Sequence, residues 1–352
     1  MLKIEKKVMG HLNKCYSLAL LEWNGKTFIA CAAEKQDPAY LFDDEGCLIE
    51  QLWDGPGGVM SMEQISDIVP TLFATERFYS PNDGSKAAIV YYQRKNGIWE
   101  RNLLCKLPFV HRFGILEQGG IRYLIACTIK SAHAFKDDWT CPGRVWVGEL
   151  DENLILYDSD HPLKLTPLIS GLYHNHGFCK LKKDDVSAAL IGADNGIYKV
   201  IPPKNKMCEW QYQKILDVQA SDMVCVDLDG DGKEELIVIS PFHGDSLSIY
   251  RQTEHGYEWV YRSSKRLPFL HAICTGKVNG NSCAFVGNRE GNRELFIVSY
   301  DKEKETYHME LIDHGKGAAN CLFFGENRLV AANRESGEIA MYKFMDGSGY
   351  KC

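Results

Sequence analysis

The sequence predicts an all-β fold made of seven repeated units. Helical periodicity is nearly absent from its 352 residues, whereas short runs of β-branched and aromatic residues alternate with Gly, Asn and Asp turns. An amphipathic run that leads into a turn and then an apolar strand recurs seven times, at intervals of 46 to 64 residues. The seven runs cover residues 2–8, 48–53, 99–107, 163–169, 210–216, 259–267 and 307–312.

A unit of about 40–50 residues that holds four short strands is one blade of a β-propeller. The last stretch, residues 320–344, supplies only part of a blade, and residues 2–8 have the pattern of its missing outer strand. Propellers avoid an open sheet edge when one terminus completes the blade of the other. We therefore expect one domain over residues 1–352, a seven-bladed β-propeller whose last blade is closed by the N-terminal strand. A pair of β-sandwiches would not explain the even spacing.

The bulk composition argues against several functions. Hydrophobic residues make up 45% of the chain and charged residues 25%, as in an ordinary globular protein. A net charge of -7 without a basic stripe argues against a nucleic-acid partner. No apolar run approaches the roughly 20 residues of a membrane helix, and the N-terminal segment lacks the core of a signal peptide. With 13 cysteines and no CxxC pair, we expect free thiols and a cytoplasmic location.

One predicted blade carries an insertion. The interval between residues 99 and 163 is 64 residues, against 46 to 51 for the others, and we assign the excess to residues 131–144. This stretch contains His133, Lys136, Asp138, Trp139 and Arg144. Such residues in an extra loop on a rigid repeat indicate a functional loop. A solvated excursion without a function is the alternative.

Residues 227–235 form an acidic loop that reads Asp-Leu-Asp-Gly-Asp-Gly-Lys-Glu-Glu and precedes a strand. Carboxylates at alternate positions around a glycine turn can bind a hard cation such as calcium. The side-chain oxygens would come from Asp227, Asp229, Asp231 and Glu235. The loop resembles that of FG-GAP and VCBS repeats, a family of propeller blades, and no helices flank it as they would in an EF-hand. A structural calcium and an empty acidic turn remain alternatives, and neither is catalytic.

Histidines recur at the starts of the predicted innermost strands. The phrase Lys-Leu-Pro-Phe-Val-His at residues 106–111 is nearly repeated as Arg-Leu-Pro-Phe-Leu-His at 266–271, and alignment of the repeats adds His176 to His111 and His271. Innermost strands line the central channel, so these rings should converge at one end of the axis. Such a group can hold a divalent transition metal or exchange protons. The alternative is that each histidine caps its own blade through a hydrogen bond to the backbone.

Together with the seven-blade count and the acidic loop, the histidine positions resemble those of propeller enzymes. The chain is similar to the propeller part of aldos-2-ulose dehydratase and, more distantly, to propeller polysaccharide lyases such as oligogalacturonate lyase, in which histidines hold a divalent metal at the axis. The resemblance implies a carbohydrate-active lyase or dehydratase. It would perform metal-assisted β-elimination on a keto-sugar or uronide, with Mn, Zn, Fe or Ni at His111, His176 and His271.

The same resemblance implies roles for nearby side chains. The catalytic residues would be His174 or His133, as the general base, and Asp138. The sugar would be bound by Trp139, Lys136, Arg112 and Arg144. A non-catalytic propeller scaffold that presents one face to a protein or glycan partner is the rival hypothesis, and it predicts that the histidines tolerate replacement.

Overall fold

Seven four-stranded antiparallel sheets form the protein, which confirms the predicted all-β, seven-bladed propeller. The structure is a computed structural model that describes residues 2–66, 68–183 and 186–345. The innermost strands of consecutive blades contact one another around a closed ring. The seven predicted amphipathic runs correspond to the outermost strands of the seven blades.

Strand β1 (Lys3–His11) belongs to the last blade, and the other strands follow in chain order. Blade 1 contains β2 (Cys15–Trp23), β3 (Lys26–Ala33), β4 (Ala39–Asp43) and β5 (Leu48–Trp53); blade 2 contains β6 (Met62–Ser66), β7 (Thr71–Glu76), β8 (Ala88–Lys95) and β9 (Ile98–Lys106). Blade 3 contains β10 (Val110–Gln118), β11 (Ile121–Lys130), β12 (Pro142–Leu150) and β13 (Thr166–Leu172); blade 4 contains β14 (Gly177–Lys183), β15 (Val186–Ala193), β16 (Gly196–Ile201) and β17 (Gln211–Leu216).

The remaining three blades complete the ring. Blade 5 contains β18 (Asp222–Val226), β19 (Glu235–Ser240), β20 (Ser246–Thr253) and β21 (Gly256–Arg262); blade 6 contains β22 (Leu270–Val278), β23 (Asn281–Asn288), β24 (Leu295–Asp301) and β25 (Thr306–Asp313). Blade 7 contains β26 (Asn320–Phe324), β27 (Arg328–Asn333) and β28 (Glu338–Met345), with β1 as its fourth strand.

The N-terminal strand closes the ring as predicted. Strand β1 pairs antiparallel with β28 from Lys3 opposite Met345 to His11 opposite Glu338. Lys6 on this strand forms ion pairs with Asp313 of blade 6 (2.8 Å) and Glu338 of blade 7 (2.5 Å). The closing strand is therefore held by its own sheet and by the neighbouring blade, and the edge of β28 is covered.

The core lies in layers between adjacent blades. The second strands have a neighbouring blade against each face, so their central residues form continuous buried runs such as those in β3 and β11. Twelve cysteines in the described ranges are free thiols, and many of them lie within these layers. No helix in the described ranges has the length and apolarity to cross a membrane.

The extra length of blade 3 is divided between two loops, which corrects the predicted insertion. Residues 142–144 already belong to β12, so the first loop is shorter than the predicted stretch 131–144. The second loop, residues 151–165, follows β12 and contains the 3-10 helix Leu154–Leu156. The sequence prediction placed all the excess in the first loop because that loop carries the conspicuous His, Trp and Arg residues.

Side chains of neighbouring blades meet across the inner strand of blade 3. A Cβ atom added to Gly114 would lie 2.6 Å from the ring of Phe178, so glycine is needed there for the ring to pack across the inner strand of blade 3. Lys180 of blade 4 and Glu63 of blade 2 form an ion pair (2.5 Å) across the same strand.

Candidate active site

The histidines at the starts of the innermost strands converge at one end of the axis. His111 is the second residue of β10, His176 directly precedes β14, and His271 is the second residue of β22. The ring centroids of His111 and His176 are 4.4 Å apart, and those of His176 and His271 are 5.1 Å apart. All three rings are buried. The structure therefore brings together the three predicted ligands.

A fourth histidine, which the sequence reasoning missed, completes the best metal-binding geometry. His243 lies in the turn between β19 and β20 of blade 5, and His176, His243 and His271 each offer a ligand atom within 4.8 Å of the others. His111 packs against His176 but is not a member of this group. We refer to His176, His243 and His271 as the axial triad. His243 escaped the prediction because only strand starts were aligned; its signal was the Pro-Phe-His-Gly turn at 241–244.

Hydrogen bonds to the backbone fix the orientation of two of these rings. Nδ1 of His176 donates to the carbonyl of Ser221 (2.8 Å), and Nδ1 of His271 donates to the carbonyl of Ala319 (2.7 Å). Each of these hydrogen bonds reaches the backbone of the next blade. The alternative prediction, that each histidine caps its own blade through a backbone hydrogen bond, therefore holds with a different blade as the partner. Because a carbonyl only accepts, both rings carry their lone pair on Nε2. A carbonyl bound to one ring nitrogen is the usual support of a metal-ligating histidine.

The two Nε2 atoms differ in their surroundings. Nε2 of His271 accepts a hydrogen bond from the buried hydroxyl of Tyr16 (3.0 Å). Nε2 of His176 is buried and has no hydrogen-bond partner within the described part of the chain. A buried acceptor without a partner costs free energy. A ligand at this position would remove that cost.

The rings of this cluster are neutral at ordinary pH. Burial lowers the pKa of His111, His176 and His271 well below its usual value, and the positive charge of Arg112 acts in the same direction. Burial also lowers the pKa of His243, to about 3, with a further contribution from Arg289. Neutral imidazole is the form that binds a metal ion.

Arg112, predicted to bind substrate, is tied into the framework beside the cluster. Its Nη1 donates to the carbonyl of Met60 (3.0 Å), and its Nη2 lies 3.6 Å from Oδ2 of Asp222. Burial raises the pKa of Asp222 to about 6 despite the nearby guanidinium. This ion pair fixes the positive charge that disfavours protonation of the histidines.

Aromatic rings form a continuous wall around part of the mouth. Neighbouring members of the wall have ring centroids 3.8 to 4.4 Å apart. In order, they are Trp139, His174, Phe242, His243 and Phe269. The wall spans the connecting loops of blades 3 to 6 and ends on the axial triad at His243.

His174, the predicted general base, lies in this wall with a carboxylate partner. Its Nδ1 donates to Oδ2 of Asp194 (2.7 Å), which leaves the lone pair of the neutral ring on Nε2. The backbone of His174 has a φ of 47°, a left-handed conformation that is uncommon for residues other than glycine. Asp194 was not predicted, because it lies 20 residues away on the turn between β15 and β16.

The first loop of blade 3 holds Trp139 in place. The Asp138 carboxylate accepts hydrogen bonds from the backbone of Ala134 and from Thr140, and these bonds lower the pKa of Asp138 to about 2. Lys130 donates to the carbonyl of Asp138 (2.8 Å) and its ammonium lies 4.0 Å from the Trp139 ring. In this structure Asp138 therefore stabilises the loop.

The other predicted site residues occupy three separate positions. The ring of His133 lies edge-on to Phe109 at 5.5 Å, and its Nδ1 is buried without a partner in the described residues. Lys136 is exposed at the tip of the first loop. Arg144 lines a cleft with Lys106 and Trp146 between blades 2 and 3.

Three of the four predicted calcium ligands lie together in the acidic loop. Asp227, Asp229 and Glu235 offer oxygens within 4.8 Å of one another, whereas Asp231 is outside this group. A guanidinium already contacts the group: Arg251 lies 2.6 Å from Asp229 and 3.6 Å from Glu235. The loop thus contains a cation of its own, which the sequence reasoning did not foresee.

The geometry defines the class of protein as a seven-bladed β-propeller with a buried histidine cluster at one end of its axis. No protein-family profile matches the sequence, and no curated protein does. Solved propellers match the fold over nearly the whole chain. Virginiamycin B lyase from Staphylococcus aureus has a TM-score of 0.60 at 13% identity and covers 98% of this chain and 100% of its own.

Two further structures show how widely this fold is shared. A catalytically inactive histidine-to-alanine variant of virginiamycin B lyase from Staphylococcus aureus, solved with quinupristin, has a TM-score of 0.61 at 16% identity over 98% of this chain and 100% of its own. The Swd1 β-propeller domain of Myceliophteria thermophila has a TM-score of 0.59 at 11% identity over 97% and 100%. At these identities the likeness shows the fold alone. The resemblance to FG-GAP repeats and to aldos-2-ulose dehydratase gains no support from these comparisons.

Proposed function

We propose that the protein is a carbohydrate-active lyase or dehydratase that performs metal-assisted β-elimination on a keto-sugar or uronide at the axial triad. The observation that carries the proposal is the buried Nε2 of His176, which has no partner among the described residues, on a ring that groups with His243 and His271. Three neutral imidazoles, two of them oriented by hydrogen bonds to the backbone, suit Mn, Zn, Fe or Ni. Tyr16 would have to release Nε2 of His271 when the metal binds.

A bound divalent ion would polarise a substrate carbonyl or carboxylate oxygen and so acidify the neighbouring C–H bond. His174 is suited to accept that proton at Nε2, because Asp194 holds the proton of the ring on Nδ1. The electron pair of the broken C–H bond forms the new C=C bond as the C–O bond to the leaving group breaks. His174 can then return its proton to the departing oxygen.

The aromatic wall favours a sugar as the substrate. The rings of Trp139, His174 and Phe242 contact one another, with centroids 4.3 to 5.5 Å apart, and the C–H face of a sugar ring could pack against the apolar surface that they form together. The polar face of the sugar would then turn away from the wall. With its buried free thiols, the protein is suited to a reducing compartment such as the cytoplasm.

Elemental analysis of the purified protein tests the metal site. We expect about one equivalent of Mn, Zn, Fe or Ni, and loss of that metal in His176→Ala. His308→Ala is the matched control, since His308 is an exposed histidine on β25. Keto-sugars and uronides would then be screened for unsaturated, ultraviolet-absorbing products. A parent protein that takes up no transition metal, or that keeps it in His176→Ala, contradicts the proposal.

A non-catalytic scaffold is the second candidate. Large apolar side chains are exposed on the outer strands of neighbouring blades, with Trp259 on β21 60% exposed and Tyr212 on β17 53% exposed. Such residues suit contacts with a protein or glycan partner. A metal-free protein that keeps its stability after His176→Ala would favour this candidate.

A further inference from the structure

A positively charged cleft runs from blade 2 to its junction with blade 3, outside the axial site. Two adjoining cavities of about 450 and 540 Å³ share Lys106 and Pro108 in their walls. The residues that line them include five cations and one carboxylate, in a chain whose net charge is -7. The cations are Arg77, Lys86, Arg101, Lys106 and Arg144.

The positive charge of this cleft is only partly compensated. The single carboxylate, Glu76, is buried and accepts hydrogen bonds from Nε and Nη2 of Arg101 (2.8 and 2.6 Å), with Arg77 at 3.4 Å. Lys86, Lys106 and Arg144 form no ion pair with any carboxylate of the described residues. These three side chains are free to meet an anionic ligand.

The internal repeat supplies a matched cleft for comparison. The second copy of the Leu-Pro-Phe phrase borders a cavity of about 530 Å³ that is lined by Arg262, Lys265 and Arg266. There Arg266 pairs with Asp245 (3.3 Å) and Lys265 pairs with Glu294 (2.6 Å). The repeat therefore does not by itself produce unpaired cations. Among the described residues, Arg262 is the one cation of this matched cleft without a carboxylate partner, and it donates to the hydroxyl of Ser248 (3.3 Å). The first cleft has three such cations, Lys86, Lys106 and Arg144.

The floor of the cleft is apolar. Leu103, Leu107 and Leu163 line it together with Pro108 and Trp146. A bare polyanion would leave this floor unused, whereas a peptide with acidic and apolar side chains would contact both the cations and the floor. We propose that the cleft binds an extended acidic peptide segment of a partner protein, with its carboxylates on Lys86, Lys106 and Arg144. This site does not depend on the proposed lyase activity.

Fluorescence anisotropy with a defined peptide tests the site. The probe is a short labelled peptide in which glutamate and leucine alternate, and a peptide with glutamine for glutamate is the comparison. We expect salt-sensitive binding of the glutamate peptide. Replacement of both cations in Lys106→Glu/Arg144→Glu should weaken it by at least about tenfold. Lys265→Glu/Arg266→Glu, in the matched cleft, should leave it unchanged.

Several results would overturn the proposal. Equal binding of the glutamine peptide would show that the cations are not used. Equal weakening by the two double variants would show that the binding follows net charge rather than the cleft. Binding of inorganic tripolyphosphate without binding of the peptide would identify a site for small polyanions instead. If the double variant does not keep the thermal stability of the parent, Lys106→Gln alone replaces it, with an expected loss of about threefold.

Discussion

Two groups of three side chains each place potential ligand atoms within 4.8 Å of one another. The two groups differ in whether their ligand atoms already have charged or hydrogen-bonding partners. In the acidic loop, Asp229 and Glu235 already contact the guanidinium of Arg251, and Asp227 accepts hydrogen bonds from the backbone of Gly230 and Gly232. In the axial triad the rings are neutral, and one Nε2 has no partner among the described residues. Proximity of ligand atoms is therefore not enough to identify a metal site.

This difference between the two groups indicates which of them a metal ion would stabilise. A hard cation would have to displace Arg251 from the acidic loop. The loop would then gain only the difference between the interaction energies of the two cations. A transition metal at the axial triad would meet neutral rings, of which His176 offers an unpartnered Nε2, and would displace only the uncharged hydroxyl of Tyr16 from His271. We therefore expect the two sites to respond differently to pH, to metals and to mutation.

Mild acid should produce the largest effect, and at the axial end. The pKa of each buried histidine is lowered in the folded state, so its contribution to stability is fully present above the unfolded pKa of about 6.5 and is lost as the pH falls below it. At about pH 5.5 the loss is roughly 1 kcal/mol for each of the buried rings of His111, His176, His243 and His271, and so a few kcal/mol in total. Asp222 acts in the opposite sense, since its pKa is raised to about 6, and offsets about 1 kcal/mol.

Urea unfolding between pH 7.5 and 5 measures this loss. His111→Gln removes one titrating ring and should make the free energy of unfolding less dependent on pH. His314→Gln, at an exposed histidine near the start of blade 7, is the control. A parent protein whose stability is the same at pH 7 and 5.5 would contradict the neutral state of the cluster.

A transition metal should produce the next largest effect. At a hundredfold excess over its dissociation constant, a ligand that binds only the folded state stabilises it by about 2.7 kcal/mol. We expect Zn or Mn to raise the melting temperature of the parent protein and of Arg251→Met, but not that of His176→Ala. Stabilisation of all three proteins by the metal would place its site elsewhere.

Much of the fold follows from sequence patterns, whereas the site depends on contacts between blades. The amphipathic outer strands repeat locally, so the seven blades and the closure by residues 3–11 could be predicted. His111, His176 and His271 could be found because they occupy equivalent positions in the repeat. Tyr16 and Asp194 could not, since their partners lie 255 and 20 residues away on other strands or loops.

Arg251 shows the same limit within one blade. The acidic motif was interpreted from residues 227–235 alone, while Arg251 comes from β20, which pairs with the strand that follows the loop. Local spacing of carboxylates predicts a site for a cation, but it does not reveal whether a neighbouring strand already supplies one.

Removal of Arg251 should convert the acidic loop into a calcium-dependent element. Arg251→Met leaves Asp229 and the buried Glu235 without their counter-charge, and we expect a loss of about 2 kcal/mol in stability. The value lies below that of a fully buried pair because the Arg251 side chain is 35% exposed. Thermal unfolding with and without calcium measures the effect. If millimolar calcium restores no stability to the variant, the loop does not bind calcium even without the competing guanidinium of Arg251.

Asp231 should give the smallest effect, because the structure leaves it outside the group formed by Asp227, Asp229 and Glu235. Its Oδ1 accepts a hydrogen bond from the backbone of Lys233 (2.8 Å), and an asparagine would keep that acceptor. We expect Asp231→Asn to change the free energy of unfolding by less than about 0.5 kcal/mol. Asp229→Asn, which weakens the contact with Arg251, should cost more. If Asp231→Asn costs as much as Arg251→Met, Asp231 belongs to the charged group, as the spacing of carboxylates in the sequence suggested.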